Sequence, residues 1–220
     1  MHQEIKLISL SSFIGDVNCY LLKTEDEGFV LVDTGLSNSR KQLLRDLEIA
    51  GCKPGNLKLI ILTHGDLDHV GNAAFLRQKY AAKIAIHPLE AKAVITGNMF
   101  ATRKSRNLLG RIIFSTLLAR RVRFTPDLYL EDGDDLTAYG LDARILHIPG
   151  HSIGSIGVLT AEGDLICGDM FANTDKPELN PIMDDVEAAK ECLFRLDKLS
   201  IKTIFPGHGT PFAMKNLQTV

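Results

Sequence analysis

Two textures of apolar spacing alternate along the chain and predict its elements. Short apolar runs bounded by turn residues predict strands over 5–10, 17–22 and 29–33, with Gly15-Asp16 and Asp26-Glu27-Gly28 as turns. Leu43, Leu44 and Leu47 fall at helical spacing, so a helix opened by Ser37 or Asn38 should run to about Ala50 and stop at Gly51. The continuous run Leu59-Ile60-Ile61-Leu62 predicts a strand over 57–63 buried on both faces. A helix from about Gly71 to Tyr80, a strand over 83–86 and a short helix from Pro88 follow. From Leu128 the pattern predicts strands over 128–130, 135–138, 142–147, 155–160 and 164–168, with Asp132-Gly133, Tyr139-Gly140 and Glu162-Gly163 as turns. Residues 170–183 read as a loop. Asp184 or Asp185 then caps a helix to about Leu199 that buries Val186, Cys192, Leu193 and Leu196, and a last strand covers 203–205. Strands and helices sharing one core predict two sheets face to face with helices outside. No shift in composition marks a linker, so one domain is expected over 1–220.

Residues 97–126 break the pattern. They carry Arg103, Lys104, Arg106, Arg111, Arg120, Arg121 and Arg123 without a single acid, interleaved with apolar residues that keep to no narrow stripe. This predicts a helical basic and apolar insert buried on more than one side. Its roles remain open between structure, a lid, a dimer surface and a contact for an anionic or lipid-like substrate. A cationic, apolar wall facing a cleft is the expectation.

Composition narrows the setting. A net charge of −2 gives no footprint for nucleic acid. Cys19, Cys52, Cys167 and Cys192 are too widely spaced for a paired motif and read as reduced. The polar start lacks a signal-peptide pattern, and no run approaches the roughly 18 apolar residues of a membrane span. A cytoplasmic protein with a small-molecule substrate, no nucleic-acid partner and no stable membrane insertion is expected, with a homodimer left open.

Chemistry enters where strand 57–63 ends. His64, Asp66, Asp68 and His69 crowd two imidazoles and two carboxylates into six positions, a mixture that suits Zn²⁺ or another divalent first-row ion. A helix cap would need only one oxygen. His64 and Asp66 are two apart and would point to one side of an extended loop. One loop rarely supplies all the ligands of an ion. Further candidates stand in Pro149-Gly150-His151, Cys167-Gly168-Asp169 and Pro206-Gly207-His208, each after an apolar segment and beside glycine. Asp33 ends the third strand. His147 reads as a strand residue, and His2 and His87 as surface or packing residues.

The run His64-x-Asp66-x-Asp68-His69, followed by His151, Asp169 and His208, resembles the metallo-β-lactamase-fold hydrolase superfamily over nearly the whole chain. Val32-Asp33-Thr34-Gly35 is similar to an early motif of that superfamily. The resemblance implies an α/β (α+β) fold, a four-layer αββα sandwich of two mixed sheets, with substrate-specific elements inserted near 97–126. It also implies that His64, Asp66 and His151 hold one metal, that Asp68, His69 and His208 hold a second, that Asp169 bridges both, and that Asp33 supports them. The superfamily usually has His where this chain has Asp66. Two Zn²⁺ ions are expected, and because that carboxylate makes its site harder, Mn²⁺ or Fe²⁺ stand as alternatives.

The implied reaction is attack by a metal-bound hydroxide, oriented by Asp68 as a catalytic residue, on a small ester, thioester or lactone. A phosphodiesterase, a β-lactam-type hydrolase and a non-catalytic metal-binding member are the alternatives. Glutathione-thioester hydrolases are disfavoured, because the chain lacks room for the added C-terminal domain they use.

Overall fold

Alternate side chains of a strand point to opposite faces, and here the alternation sorts the apolar residues into layers. A computed structural model describes residues 4–12, 15–103 and 122–217. Among these, β1 (Ile5–Leu10), β2 (Val17–Lys23), β3 (Phe29–Val32), β4 (Leu57–Leu62), β5 (Lys83–Ile86) and β6 (Leu128–Tyr129) form one sheet in that order. Its first two pairings are antiparallel and the rest parallel. The second sheet runs β12 (Phe212–Ala213), β11 (Thr203–Gly209), β9 (Asp164–Asn173), β8 (Ile156–Thr160), β7 (Ala143–His147), with β10 (Glu178–Leu179) on β9. It is also mixed, since β11 and β9 are parallel.

Tyr20, Leu22, Val30, Val32, Leu59 and Ile61 face Ile145, Ile156, Val158 and Ile166 between the sheets. The other face of the first sheet, with Leu31, Ile60 and Leu62, packs on α1 (Arg40–Ile49), α3 (Ala73–Tyr80) and α4 (Ala91–Thr96) through Leu43, Leu47, Leu76 and Val94. The outer face of the second sheet, with Leu146, Leu159 and Leu165, packs on α5 (Val186–Leu196) through Ala189, Cys192 and Leu196. The result is the expected αββα sandwich. No helix among the described residues is long and apolar enough to cross a membrane.

Several boundaries differ from expectation. Residues 135–138 are not a strand: Asp135 makes only an isolated bridge to Arg144, and its carboxylate accepts from the Thr137 backbone and hydroxyl, turning the chain into a 3-10 turn at Thr137–Tyr139. The loop after β4 is partly helical, with α2 spanning Leu67–Val70. A 3-10 turn at Ser37–Ser39 leads into α1, whose N-cap Ser39 makes no side-chain cap bond, so neither Ser37 nor Asn38 caps it. Strand β9 continues through Met170, Phe171 and Ala172, all buried, and β11 continues through Pro206 to Gly209. α5 ends at Leu196, short of Leu199, and Val186 on it is exposed. The helical reading of 97–126 falls largely on 104–121, outside the described residues. Its described flanks hold only a 3-10 turn at Met99–Ala101.

Candidate metal centre

The seven predicted residues arrive from four places. β4 ends at Leu62, and the following loop and α2 deliver His64, Asp66, Asp68 and His69. The turn after β7 delivers His151. Asp169 stands inside β9 and His208 inside β11, on adjacent strands of the second sheet. His64, Asp66 and His151 form one group whose ligand-type atoms lie within 4.8 Å of one another, and Asp68, His69 and His208 form another. Asp169 reaches both. Its Oδ2 is 3.7 Å from His151 Nε2 and 3.4 Å from His208 Nε2, and its Oδ1 is 3.4 Å from His69 Nε2.

Each imidazole is held by its other nitrogen. Thr63 gives its hydroxyl proton to Asp33 Oδ2 at 2.8 Å, so its Oγ1 accepts from His64 Nδ1 at 3.0 Å. His69 Nδ1 donates to Asp33 Oδ2 at 2.9 Å. His151 Nδ1 donates to the Ile182 carbonyl at 2.6 Å, and His208 Nδ1 to the Asp16 carbonyl at 2.7 Å. Protons on the four Nδ1 atoms leave the four Nε2 atoms free to act as ligands. Asp33 thus touches His69 directly and His64 through Thr63. It adopts φ 60°, a strained conformation for a residue with a Cβ, and accepts from Thr63 N at 2.9 Å.

The donor set fits divalent cations. His64 Nε2, His69 Nε2 and Asp169 Oδ1 are buried and lack any hydrogen-bond partner, which is costly unless a cation takes them. The backbone leaves room for such a group: a Cβ at Gly207 would stand 2.2 Å from Asp169 Oδ1 and 2.9 Å from His69 Cε1. Among the side chains themselves, charge is shared unevenly. Burial works to lower the His69 pKa, but Asp169, Asp33 and Asp68 outweigh it and push it up to about 10. Burial is likewise outweighed at His208, which bonds to Asp169 and Asp68 raise to about 11. His64 is pushed well down, by burial and then by His69 and His151. Burial opposes ionisation of Asp169, yet His69, His208 and His151 hold its pKa well below the usual carboxylate range.

Asp66 is buried, with its Oδ2 3.2 Å from His151 Nε2 and 3.7 Å from His64 Nε2. Arg103 Nη1 lies 3.7 Å from the same oxygen and also donates to the His151 carbonyl, and Arg103 Nε lies 3.5 Å from Asp184 Oδ2. Sequence reasoning saw Arg103 only as part of a basic run, and it missed Glu90 altogether. Glu90 is fully buried and accepts hydrogen bonds from Gly65 N and Gly154 N. Burial pushes its carboxyl up, against bonds from Ser152, Gly154 and Thr102. An acid in the first turn after Pro88 reads as an ordinary helix-dipole partner, and only the apolar context of Leu89 and Ala91 hints otherwise. His87 stacks on His147 at 4.5 Å, away from the centre, as a packing residue. His2 lies outside the described residues.

A cavity of about 1120 Å³ opens beside Asp66, Asp68, Asp169, His151 and His208. Its further described walls include Leu36, Leu67, Met99, Phe100, Ile182 and Met183, with Arg103 among them.

The sequence model of the metallo-beta-lactamase superfamily matches residues 13–208, and the chain belongs to that superfamily. Hydroxyacylglutathione hydrolase GloC of Haemophilus influenzae is 28% identical over 190 residues, covering 79% of this chain and 77% of that protein. Acyl-coenzyme A thioesterase MBLAC2 of Homo sapiens is 26% identical over 216 residues, covering 91% of this chain and 75% of that protein. The crystal structure of TTHA1623 in a di-iron-bound form superposes with a TM-score of 0.71 at 25% identity, over 96% of this chain and 95% of the other. The chain is thus a metallo-hydrolase of the superfamily, and its His and Asp clusters are consistent with a dinuclear metal site. The expectation against glutathione-thioester hydrolases meets a relative of that kind, 77% of which the chain covers.

Proposed function

We infer that the protein hydrolyses thioesters of apolar acyl groups at a dinuclear centre. The observation that carries this is the cavity of about 1120 Å³, which joins the carboxylate and imidazole cluster to a wall of Leu36, Met99, Phe100, Ile182 and Met183. An acyl chain on that wall brings its carbonyl to the cluster. The similarity to a hydroxyacylglutathione hydrolase and to an acyl-coenzyme A thioesterase supports the same class. Both carriers are anionic, and Arg40 and Arg103 line the cavity.

His64, Asp66 and His151 would hold one ion, Asp68, His69 and His208 the other, and Asp169 both. Bound Zn²⁺, or Mn²⁺ or Fe²⁺ in its place, supplies Lewis acidity and an acidified water at that point. The protein does the rest. Asp33, Thr63 and the carbonyls of Asp16 and Ile182 hold the imidazoles in one tautomer. Asp68 is the catalytic carboxylate. Burial alone would raise its pKa, but His69 and His208 lower it, so it stays ionised and accepts a hydrogen bond from the attacking water. The apolar wall excludes bulk water around the scissile carbonyl.

The test is hydrolysis of coenzyme A and glutathione thioesters of graded acyl length by the Zn²⁺-loaded protein, beside lactone, lactam and phosphodiester substrates. We expect kcat/KM to rise with acyl length by up to about fourfold per methylene, the scale of about 0.8 kcal/mol for each buried CH₂. Phe100→Asp should abolish that slope. Turnover confined to the phosphodiester or the lactam, or silence across the panel, would sink the reading.

A further inference from the structure

One buried carboxylate reaches the backbone on both sides of the first ligand group. Glu90 is 0% exposed. Its Oε2 accepts from Gly65 N at 3.0 Å and from Thr102 Oγ1 at 3.1 Å, and its Oε1 accepts from Gly154 N at 3.0 Å. Gly65 separates His64 from Asp66, Gly154 lies in the turn that follows His151, and Thr102 precedes the Arg103 that touches Asp66 and His151. There is no slack around these bonds. A Cβ at Gly65 would stand 2.9 Å from Glu90 Oε2, and one at Gly154 would stand 2.8 Å from Glu90 Cγ. The second group is fixed from elsewhere, His69 by Asp33 and His208 by the Asp16 carbonyl.

We propose that Glu90 is a positioning residue for the ion held by His64, Asp66 and His151. It fixes the distance between the His64–Asp66 loop and the His151 turn, and it touches neither ion nor substrate. The proposal rests on the dinuclear reading given above. Its selectivity follows from connectivity: Gly65, Gly154 and Thr102 all belong to segments that bear or brace the first group. An ionised carboxylate suits them because both oxygens accept. Glutamine keeps the volume but turns an NH₂ toward one of the donors, leaving donor against donor.

The experiment titrates metal-free wild type, Glu90→Gln and Gly154→Ala with Zn²⁺ against a chromogenic chelator. Bound ions are counted by native mass spectrometry, and folding is followed by circular dichroism. Wild type should take two ions. Glu90→Gln should bind one of them as wild type does and the other at least tenfold more weakly, the range seen for residues that orient ligands. Adding Glu90→Gln to His208→Ala should weaken the ion that remains, whereas adding it to His151→Ala should not. Both ions bound at wild-type affinity would overturn the proposal. So would equal weakening of both in step with a fall in Tm, since that marks a merely structural role. If Glu90→Gln does not fold, Gly154→Ala decides, because it keeps the carboxylate and displaces it. Selective weakening of one ion supports the proposal, and two unaltered ions overturn it. A folded wild type that takes up no Zn²⁺ removes the dinuclear reading and this proposal together, whereas two ions in wild type with no selective loss in the variants removes only the proposal.

Discussion

At the scale of single residues, Asp33 braces the candidate centre from behind. Its carboxylate takes Thr63 N, Thr63 Oγ1 and His69 Nδ1, so one side chain orients two imidazoles, His69 directly and His64 through the Thr63 hydroxyl. Asp33→Asn should keep the fold, because asparagine tolerates the φ of 60° found there. Its NH₂ must face a donor, however, so kcat/KM should drop tenfold or more and Zn²⁺ affinity should weaken with it. Steady-state kinetics and chelator competition on the same preparation check this, and an unchanged pair of values would show that the imidazoles are oriented without Asp33. The candidate ligands were legible in the sequence because each is a side chain in a dense or glycine-flanked pattern, and Asp33 was legible through the resemblance. What holds them was not. The carbonyls of Asp16 and Ile182 carry no residue-type signature, and Glu90 and Arg103 take their meaning from segments distant in sequence.

At the scale of elements, most strands and helices followed from apolar spacing, although 135–138 formed no strand and α2, β10 and β12 gave no such signal, while ends were decided by tertiary partners. Pro206-Gly207 reads as the end of a strand, yet β11 continues to Gly209 through register shifts on either side of Pro206. The Pro206 carbonyl is taken instead by Asn18 Nδ2 at 2.9 Å and Tyr20 Oη at 2.6 Å. That irregular stretch carries His208 past the end of a regular pairing and into the centre. β9 ran on past Asp169 for a related reason, since Met170 and Phe171 are buried under α5 and its neighbours. Where a local signal and a tertiary one agree, the prediction is sharper. Asp185 was expected as one of two caps for α5, and its Oδ1 accepts from Ala188 N at 3.1 Å. Asp185→Ala should destabilise the protein by about 1 kcal/mol, while Asp185→Asn should stay close to wild type because asparagine caps as well. Urea unfolding of the three proteins measures both, and equal midpoints would mean that the cap contributes nothing.

At the scale of the whole molecule, four layers bring three carboxylates and four imidazoles to one place, and bound cations and folding then share a free energy. Without metal, His69 and His208 have pKa values pushed up to about 10 and about 11, above the ordinary 6.5. A histidine whose pKa rises on folding contributes stability that is fully present below about pH 6.5 and fades as pH climbs through its folded value. The metal-free protein should therefore lose this contribution toward alkaline pH. Metal loading runs the other way, because both imidazoles must give up a proton to bind, so affinity rises with pH across the whole interval. Ligand linkage converts that affinity into stability, about 4 kcal/mol when free metal stands at a thousand times Kd. The gap in Tm between Zn²⁺-loaded and chelator-treated protein should accordingly widen from pH 6 to pH 9, with metal-free Tm falling and loaded Tm holding. Proton release on adding Zn²⁺ in weakly buffered solution gives a second reading of the same linkage, roughly two protons at neutral pH. A gap that stays constant with pH, with no protons released, would mean that His69 and His208 do not bind the metal, and the second ion would have to be held by other groups.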